Sequence, residues 1–179
     1  MTAMAERAIP GSGGRVRRVL GFGEAVLHQP ALEVTSFGEP LERLVEDLFA
    51  TMYAYRGVGL AAGQIGVGQR VFVYDCPDDH DRRHIGHVVN PRLVSTGGVL
   101  MRGPEGCLSL PGREAGTPRW DEAVVEGVDV TGAPVRVEGS GFFARCLQHE
   151  CDHLDGVVFT DRLGKLRRKR ALRGSGWAA

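Results

Sequence analysis

The chain has 179 residues, 42% of them hydrophobic, which is long enough for one well-filled core and short for two. It contains no run of roughly 18 apolar residues, so no segment reads as a membrane span, and neither a membrane nor DNA is an expected partner. Basic and acidic residues balance at 22 each, yet residues 1–18 hold four arginines and one acid, residues 165–173 hold six basic residues and no acid, and the part between has 12 basic against 21 acidic. The ends are positive and the body is negative.

Met1 to Arg7 lacks the apolar segment of a secretory signal. Residues 1–18, with Gly11-Ser12-Gly13-Gly14 and scattered arginines, read as a flexible leader, with a short organellar transit sequence as the alternative. Residues 19–164 are expected to form a single catalytic domain, followed by a basic tail over 165–179. Glu39-Pro40 opens a helix in which Leu41, Leu44, Val45, Leu48, Phe49 and Met52 recur at helical spacing, ending at Gly57. The next stretch, Gly57-Val58-Gly59-Leu60-Ala61-Ala62-Gly63-Gln64-Ile65-Gly66, lacks the lysine of a phosphate-binding loop and follows a helix instead of a strand. Its small residues predict close approach of backbone to a ligand or another segment, with a plain helix-stop loop as the rival.

Arg70–Asp75 is rich in β-formers and reads as a strand, and Asp78–His87 as a solvated loop. His87–Val94 reads as a strand that Pro91 confines to an edge or a bulge. Val128, Val130, Val135 and Val137 alternate around Thr131-Gly132-Ala133-Pro134, the pattern of a hairpin across Glu122–Glu138. Val157-Val158-Phe159 predicts a return to extended chain. Strands and helices do not alternate regularly, which predicts an α+β fold with mostly antiparallel strands packed around a central helix.

That helix runs from Phe142 to about Asp155 and carries His149-Glu150-Cys151-Asp152-His153. At about 100° per residue, Phe142, Phe143, Cys146, Leu147 and Leu154 share a face with His149, Glu150 and His153, while Arg145, Gln148, Asp152 and Asp155 turn the opposite way. Two imidazoles one turn apart can meet one ion, and the glutamate between them can reach a water on it. A pair of hydrogen-bonded core histidines is the plainer alternative.

A catalytic ion commonly takes three protein ligands. In the HExxHxxGxxH pattern Gly156 matches but the next position is Phe159, which has no metal-binding atom. Cys146 shares the face with the histidines but lies about 10 Å of helix rise from His153, and Cys151 points away. Cys76, Cys107 and the acids remain open, Cys107 within Gly103-Pro104-Glu105-Gly106-Cys107-Leu108-Ser109-Leu110-Pro111. Two cysteines on the helix and one in a glycine-rich loop predict a reducing compartment and hence the cytoplasm.

Taken together, Gly57-Val58-Gly59-Leu60-Ala61-Ala62-Gly63-Gln64, Glu105-Gly106-Cys107-Leu108-Ser109 and Gln148-His149-Glu150-Cys151-Asp152-His153 resemble, in order, the three motifs of the peptide deformylase family, over about Leu27 to Leu163. Gly63 departs from the proline that many members carry before the glutamine. The resemblance implies that Cys107, His149 and His153 bind one divalent metal, usually ferrous iron, with nickel, cobalt or zinc able to replace it. It implies N-formylmethionyl nascent peptides as substrate and formate as product. It also implies Glu150 as the proton carrier, with the Gln64 side chain and the Leu108 backbone N–H beside the developing oxyanion. An extended substrate is expected along Val58-Gly59 and near Gly106, its methionine in a pocket lined by Phe142, Cys146 and His149. Arg145 is expected on the outer face. The rival readings are a zinc peptidase using the same histidines and glutamate, and a metal-stabilised module that binds ribosomes without catalysis. Lys165-Leu166-Arg167-Arg168-Lys169-Arg170 reads as a solvated helix end, with contact to ribosomal RNA as the alternative.

Overall fold

The computed structural model describes residues 9–176. Helix α1 spans Glu39–Ala54, and its six predicted apolar positions are all buried. The chain leaves α1 through a C-terminal motif in which Arg56 adopts φ 57° and the Gly57 amide donates to the Met52 carbonyl at 2.8 Å. Strand β1 (Gly59–Ala61) and a 3-10 turn (Ala62–Ile65) follow directly, so the glycine-rich stretch is an edge strand and a turn.

Strands β2 (Val71–Pro77), β3 (Arg83–Cys107), β4 (Leu110–Val128) and β5 (Pro134–Ser140) complete an antiparallel sheet in the order β1-β2-β3-β4-β5. The period of two splits β2 between two cores. Val71 and Val73 join Leu44, Leu48 and Met52 of α1, whereas Phe72, Tyr74 and Cys76 join the helix α2 (Gly141–Leu154) through Phe143, Cys146 and Leu147. Burial of each such side chain is worth about 1.5–3 kcal/mol. The sheet is therefore clamped between α1 and α2, and α2 lies beneath the strands that surround the site.

Several expectations are corrected. Only the turn at Asp78–Arg82 separates β2 from β3, because Arg83 onward pairs with β2, Pro77 opposite Arg83 and Cys76 opposite His84. Strands β3 and β4 reach far beyond the predicted segments, with shifts of register between Val89 and Arg92, where Pro91 sits, and between Gly106 and Cys107. Val158 is extended, but Phe159 begins a 3-10 turn through Arg162. Helix α2 has almost no solvated face. Gln148 is buried with its Nε2 donating to the Trp120 carbonyl at 2.7 Å, and buried Asp152 accepts from Arg119 and Arg162.

Residues 1–8 of the expected leader lie outside the described residues. From Gly11 to Arg17 its second part runs along α1, with the Gly11 amide donating to Glu46 Oε2 (3.0 Å), Arg15 N to Asp47 Oδ1 (2.8 Å) and Arg17 N to Thr51 Oγ1 (2.9 Å). The tail forms a helix α3 (Lys165–Leu172) that ends on buried Ala171 and Leu172, the latter in a cluster with Phe22, Leu110, Val158 and Phe159. Among the described residues no helix is long and apolar enough to cross a membrane.

Candidate metal centre

Helix α2 raises His149 and His153 one turn apart, and their Nε2 atoms lie 3.1 Å from each other. Cys107 comes from the end of β3, where the shifted register after Gly106 turns its Sγ to 3.2 Å from His153 Nε2. One donor atom from each of the three residues falls within 4.8 Å of the others. His149 Nδ1 donates to Glu105 Oε1 at 2.7 Å, which leaves the lone pair of Nε2 facing Cys107 and His153. Two imidazole nitrogens and a sulfur aimed at one point, with an oriented histidine behind them, fit a divalent transition ion.

The charges around the three agree with that fit. Burial pushes the Cys107 thiol up, but the two imidazoles more than offset it, and its pKa falls well below the usual value, toward the thiolate a metal needs. Glu105 feels the same contest: burial raises it, and His149 with Arg119 overcome burial, so it stays ionised. Its carboxylate is gripped by Arg119 Nε and Nη2 at 3.0 and 2.6 Å and by Arg145 Nη1 at 2.9 Å.

Glu150 stands apart from these pairs. Burial raises its pKa and the imidazoles reverse only part of the shift, while Oε2 is buried with no hydrogen-bond partner. Gly59 covers the carboxylate closely: a Cβ there would overlap Glu150 Oε1 and sit 3.0 Å from Cys146 Sγ. This is the close backbone approach that the glycine-rich stretch predicts. Gln64 is buried, its Oε1 accepting from the Ala61 amide (3.0 Å) and its Nε2 pointing at Ser109 Oγ (3.2 Å) and Cys107 Sγ (3.5 Å).

A cleft of about 1110 Å³ opens over these groups. Val58, Gly59, Gln64, Gly106, Cys107 and Leu108 line it, together with Phe142, Cys146, His149 and Glu150 from α2, while His153 sits deeper. Phe142 is half exposed at the mouth. Arg145 also lines the cleft, against the expectation of an outer face, because Glu105 and the Thr117 carbonyl draw its guanidinium inward. Phe159, where the HExxHxxGxxH pattern would need a ligand, stacks 6.3 Å from the His149 ring. Sequence reasoning missed the roles of Glu105, Arg119 and Ser109. Glu105 was within reach, since residues two apart on a strand share a face and it stands two before Cys107.

A family model described as polypeptide deformylase matches residues 16–169. The chain belongs to the polypeptide deformylase family. Peptide deformylase 2 of Streptomyces coelicolor is 66% identical over 170 residues, covering 95% of this chain and 95% of the relative. A peptide deformylase of Acidothermus cellulolyticus is 49% identical over 166 residues, 91% of this chain and 89% of the relative. The crystal structure of the Ehrlichia chaffeensis deformylase superposes with a TM-score of 0.84 at 32% identity, covering 90% of this chain and 96% of that one. The Synechococcus elongatus enzyme, solved in complex with actinonin, gives 0.81 at 36% identity, with 90% and 88% covered. The deformylase fold is thus an α+β fold with a Cys107–His149–His153 metal site, and the activity is removal of the formyl group from the N-formylmethionine of nascent peptides.

Proposed function

We propose that Glu150 moves the proton in this deformylation, and the observation that carries the reading is its carboxylate, buried beside the metal-binding trio with Oε2 unpartnered. Oε2 takes a proton from water as the water oxygen joins the formyl carbon, then delivers that proton to the amine nitrogen as the C–N bond breaks and formate leaves. A pKa above the usual carboxylate value makes the same group an adequate base and a better acid. When bound, the ion supplies a Lewis acid that polarises the formyl carbonyl and acidifies water. Gln64 Nε2 and the Leu108 backbone N–H steady the negative charge that grows on the formyl oxygen. The bond from the Ala61 amide to Gln64 Oε1 supports this, because it fixes which end of the side-chain amide faces the cleft.

The substrate lies extended along the edge at Val58 and Gly59 and near Gly106, as an added strand. Its methionine enters the pocket beside Phe142, Cys146 and His149. The ion is ferrous iron, with nickel, cobalt or zinc as substitutes, a range that a thiolate with two imidazoles accommodates. Elemental analysis of anaerobically purified protein tests that identity, and zinc alone in active protein would refute it. The enzyme works in the cytoplasm, a location supported by four free cysteines. Exposed cations of α3, among them Arg167, Lys169 and Arg170, contact ribosomal RNA. Reversing these three charges should weaken ribosome co-sedimentation; unchanged binding at low salt removes that contact.

The deciding variant is Glu150→Gln. It should retain metal at parental stoichiometry and lose about 10²–10⁴-fold in formate release from formyl-Met-Ala-Ser. Parental turnover by the variant would end the assignment.

A further inference from the structure

The cleft is larger than the chemistry at its floor requires. About 1110 Å³ exceeds the roughly 300–1,000 Å³ of ordinary small-molecule pockets. The formyl group is the first group of its substrate, so no residue precedes it. Every later residue must leave through the mouth, each extended residue advancing about 3.3 Å.

Three arginines stand among the residues lining the outer cleft: Arg18 before the Leu20–Gln64 bond, Arg56 at the end of α1, and Arg113 just inside β4. Arg18 and Arg56 are exposed and Arg113 is half-buried. Among the described residues none of the three has a side-chain hydrogen bond or an ion pair. Arg70, Arg83, Arg119, Arg145 and Arg162 are each tied to a carboxylate. The acids of the cleft do not balance the three. Glu105 is matched by Arg119 and Arg145, Glu150 is buried at the floor, and only Glu114 is left on the outer wall.

Arg56 adds an independent sign. It holds φ 57° at the position after a helix where glycine is favoured, and a long side chain there is uncommon.

We propose that Arg18, Arg56 and Arg113 form a cationic rim that selects formylated peptides with acidic side chains at the second and third positions after the methionine, an inference that rests on the deformylase reading of the same cleft. The rim acts on the departing chain and leaves the reacting atoms alone. Its contribution is exposed, so each pair is worth a few-fold at low salt and is screened as salt rises.

The test uses the metal-loaded full chain with three C-terminally amidated peptides, so that no terminal carboxylate contributes: formyl-Met-Ala-Asp-Glu, formyl-Met-Ala-Lys-Arg and formyl-Met-Ala-Ser-Ala. At low salt kcat/KM for the acidic peptide should exceed that for the basic one by on the order of tenfold, shrinking toward unity near roughly 1 M salt. The double variant Arg56→Glu/Arg113→Glu should invert the ratio. Because the ratio is taken within one protein, losses of folding or metal cancel. Equal kcat/KM for the acidic and basic peptides in the parental protein at low salt, or a ratio indifferent to salt, overturns the rim while deformylation stands. Formate from none of the three overturns deformylation instead, and binding of fluorescent acidic and basic peptides then judges the rim by the same ratio.

Discussion

Glu105 decides which nitrogen of His149 faces the metal, and it does so from within a cage of two guanidinium groups. In Glu105→Gln an amide oxygen can still accept from Nδ1, but the charge that holds Arg119 and Arg145 is gone. Such partners behind a ligand are commonly worth 10–100-fold in metal affinity. We expect a loss of about that size in chelator competition, with α2 still formed by circular dichroism; unchanged affinity would show that Arg119 and Arg145 matter only for packing. Gly59→Ala probes the opposite wall. Its Cβ would lie 2.9 Å from Glu150 Cδ, so the carboxylate must shift. A displacement of this kind should lower kcat by about 10²-fold while metal content holds; parental kcat would show that Glu150 tolerates the move. His149, Glu150 and His153 were legible because one helical turn relates them. Cys107 was not, since 46 positions separate it from His153 and no local rule spans that distance. Only the motif resemblance supplied it.

Elements with strong local period were legible in the same way. Helix α1 shows six apolar residues at helical spacing, and the β4–β5 hairpin has its turn residues at Thr131–Pro134, where Asp129 Oδ1 accepts from the Thr131 and Ala133 amides. Beyond His87–Val94 and the stretch from Glu122, which were read as strand, the rest of β3 and β4 was hidden because Gly97, Gly98, Gly103, Gly106, Gly112 and Gly116 weaken any strand signal. Pairing with each other across the shared ladder supplies what propensity lacks. Gln148 and Asp152 were misplaced on α2 for a related reason, since their partners Trp120 and Arg119 come from that same hidden hairpin. The β2–β3 turn offers a test of charge at this scale. Asp78 is buried and accepts from the His80 and Arg82 amides, with His84 and Arg82 at its other oxygen. The His84 contact comes first among the causes that hold its pKa below the ordinary carboxylate value. A depressed folded-state pKa stabilises the fold above the unfolded value and loses that contribution as pH falls through the folded one. Asp78→Asn keeps an acceptor and removes the charge. Its urea midpoint should fall below the parental one at neutral pH, and the gap should close in strong acid; a gap that persists there would assign the effect to geometry.

At the scale of the whole molecule, the stretch around Phe22 and helix α3 pack into one apolar cluster beside the metal site. Phe22, joined to the site loop by a 2.8 Å bond from its amide to the Ser109 carbonyl, packs with Leu110, Phe159 and Leu172 of α3. Phe159 in turn stacks on the His149 ring, so the basic helix is anchored to the catalytic layer through one apolar cluster. Cutting the chain after Gly164 would therefore remove core as well as charge, and ribosome binding by such a truncation would confuse the two. Point changes separate them. Leu172 is buried, and Leu172→Ala should cost about 2–4 kcal/mol in urea unfolding of the metal-loaded protein. Leu166, 77% exposed on the same helix, should change stability by no more than about 0.5 kcal/mol when replaced by alanine. Equal effects at the two positions would mean that α3 is not seated through Leu172, and the charge reversals on its outer face would then have to be judged on a helix free to move.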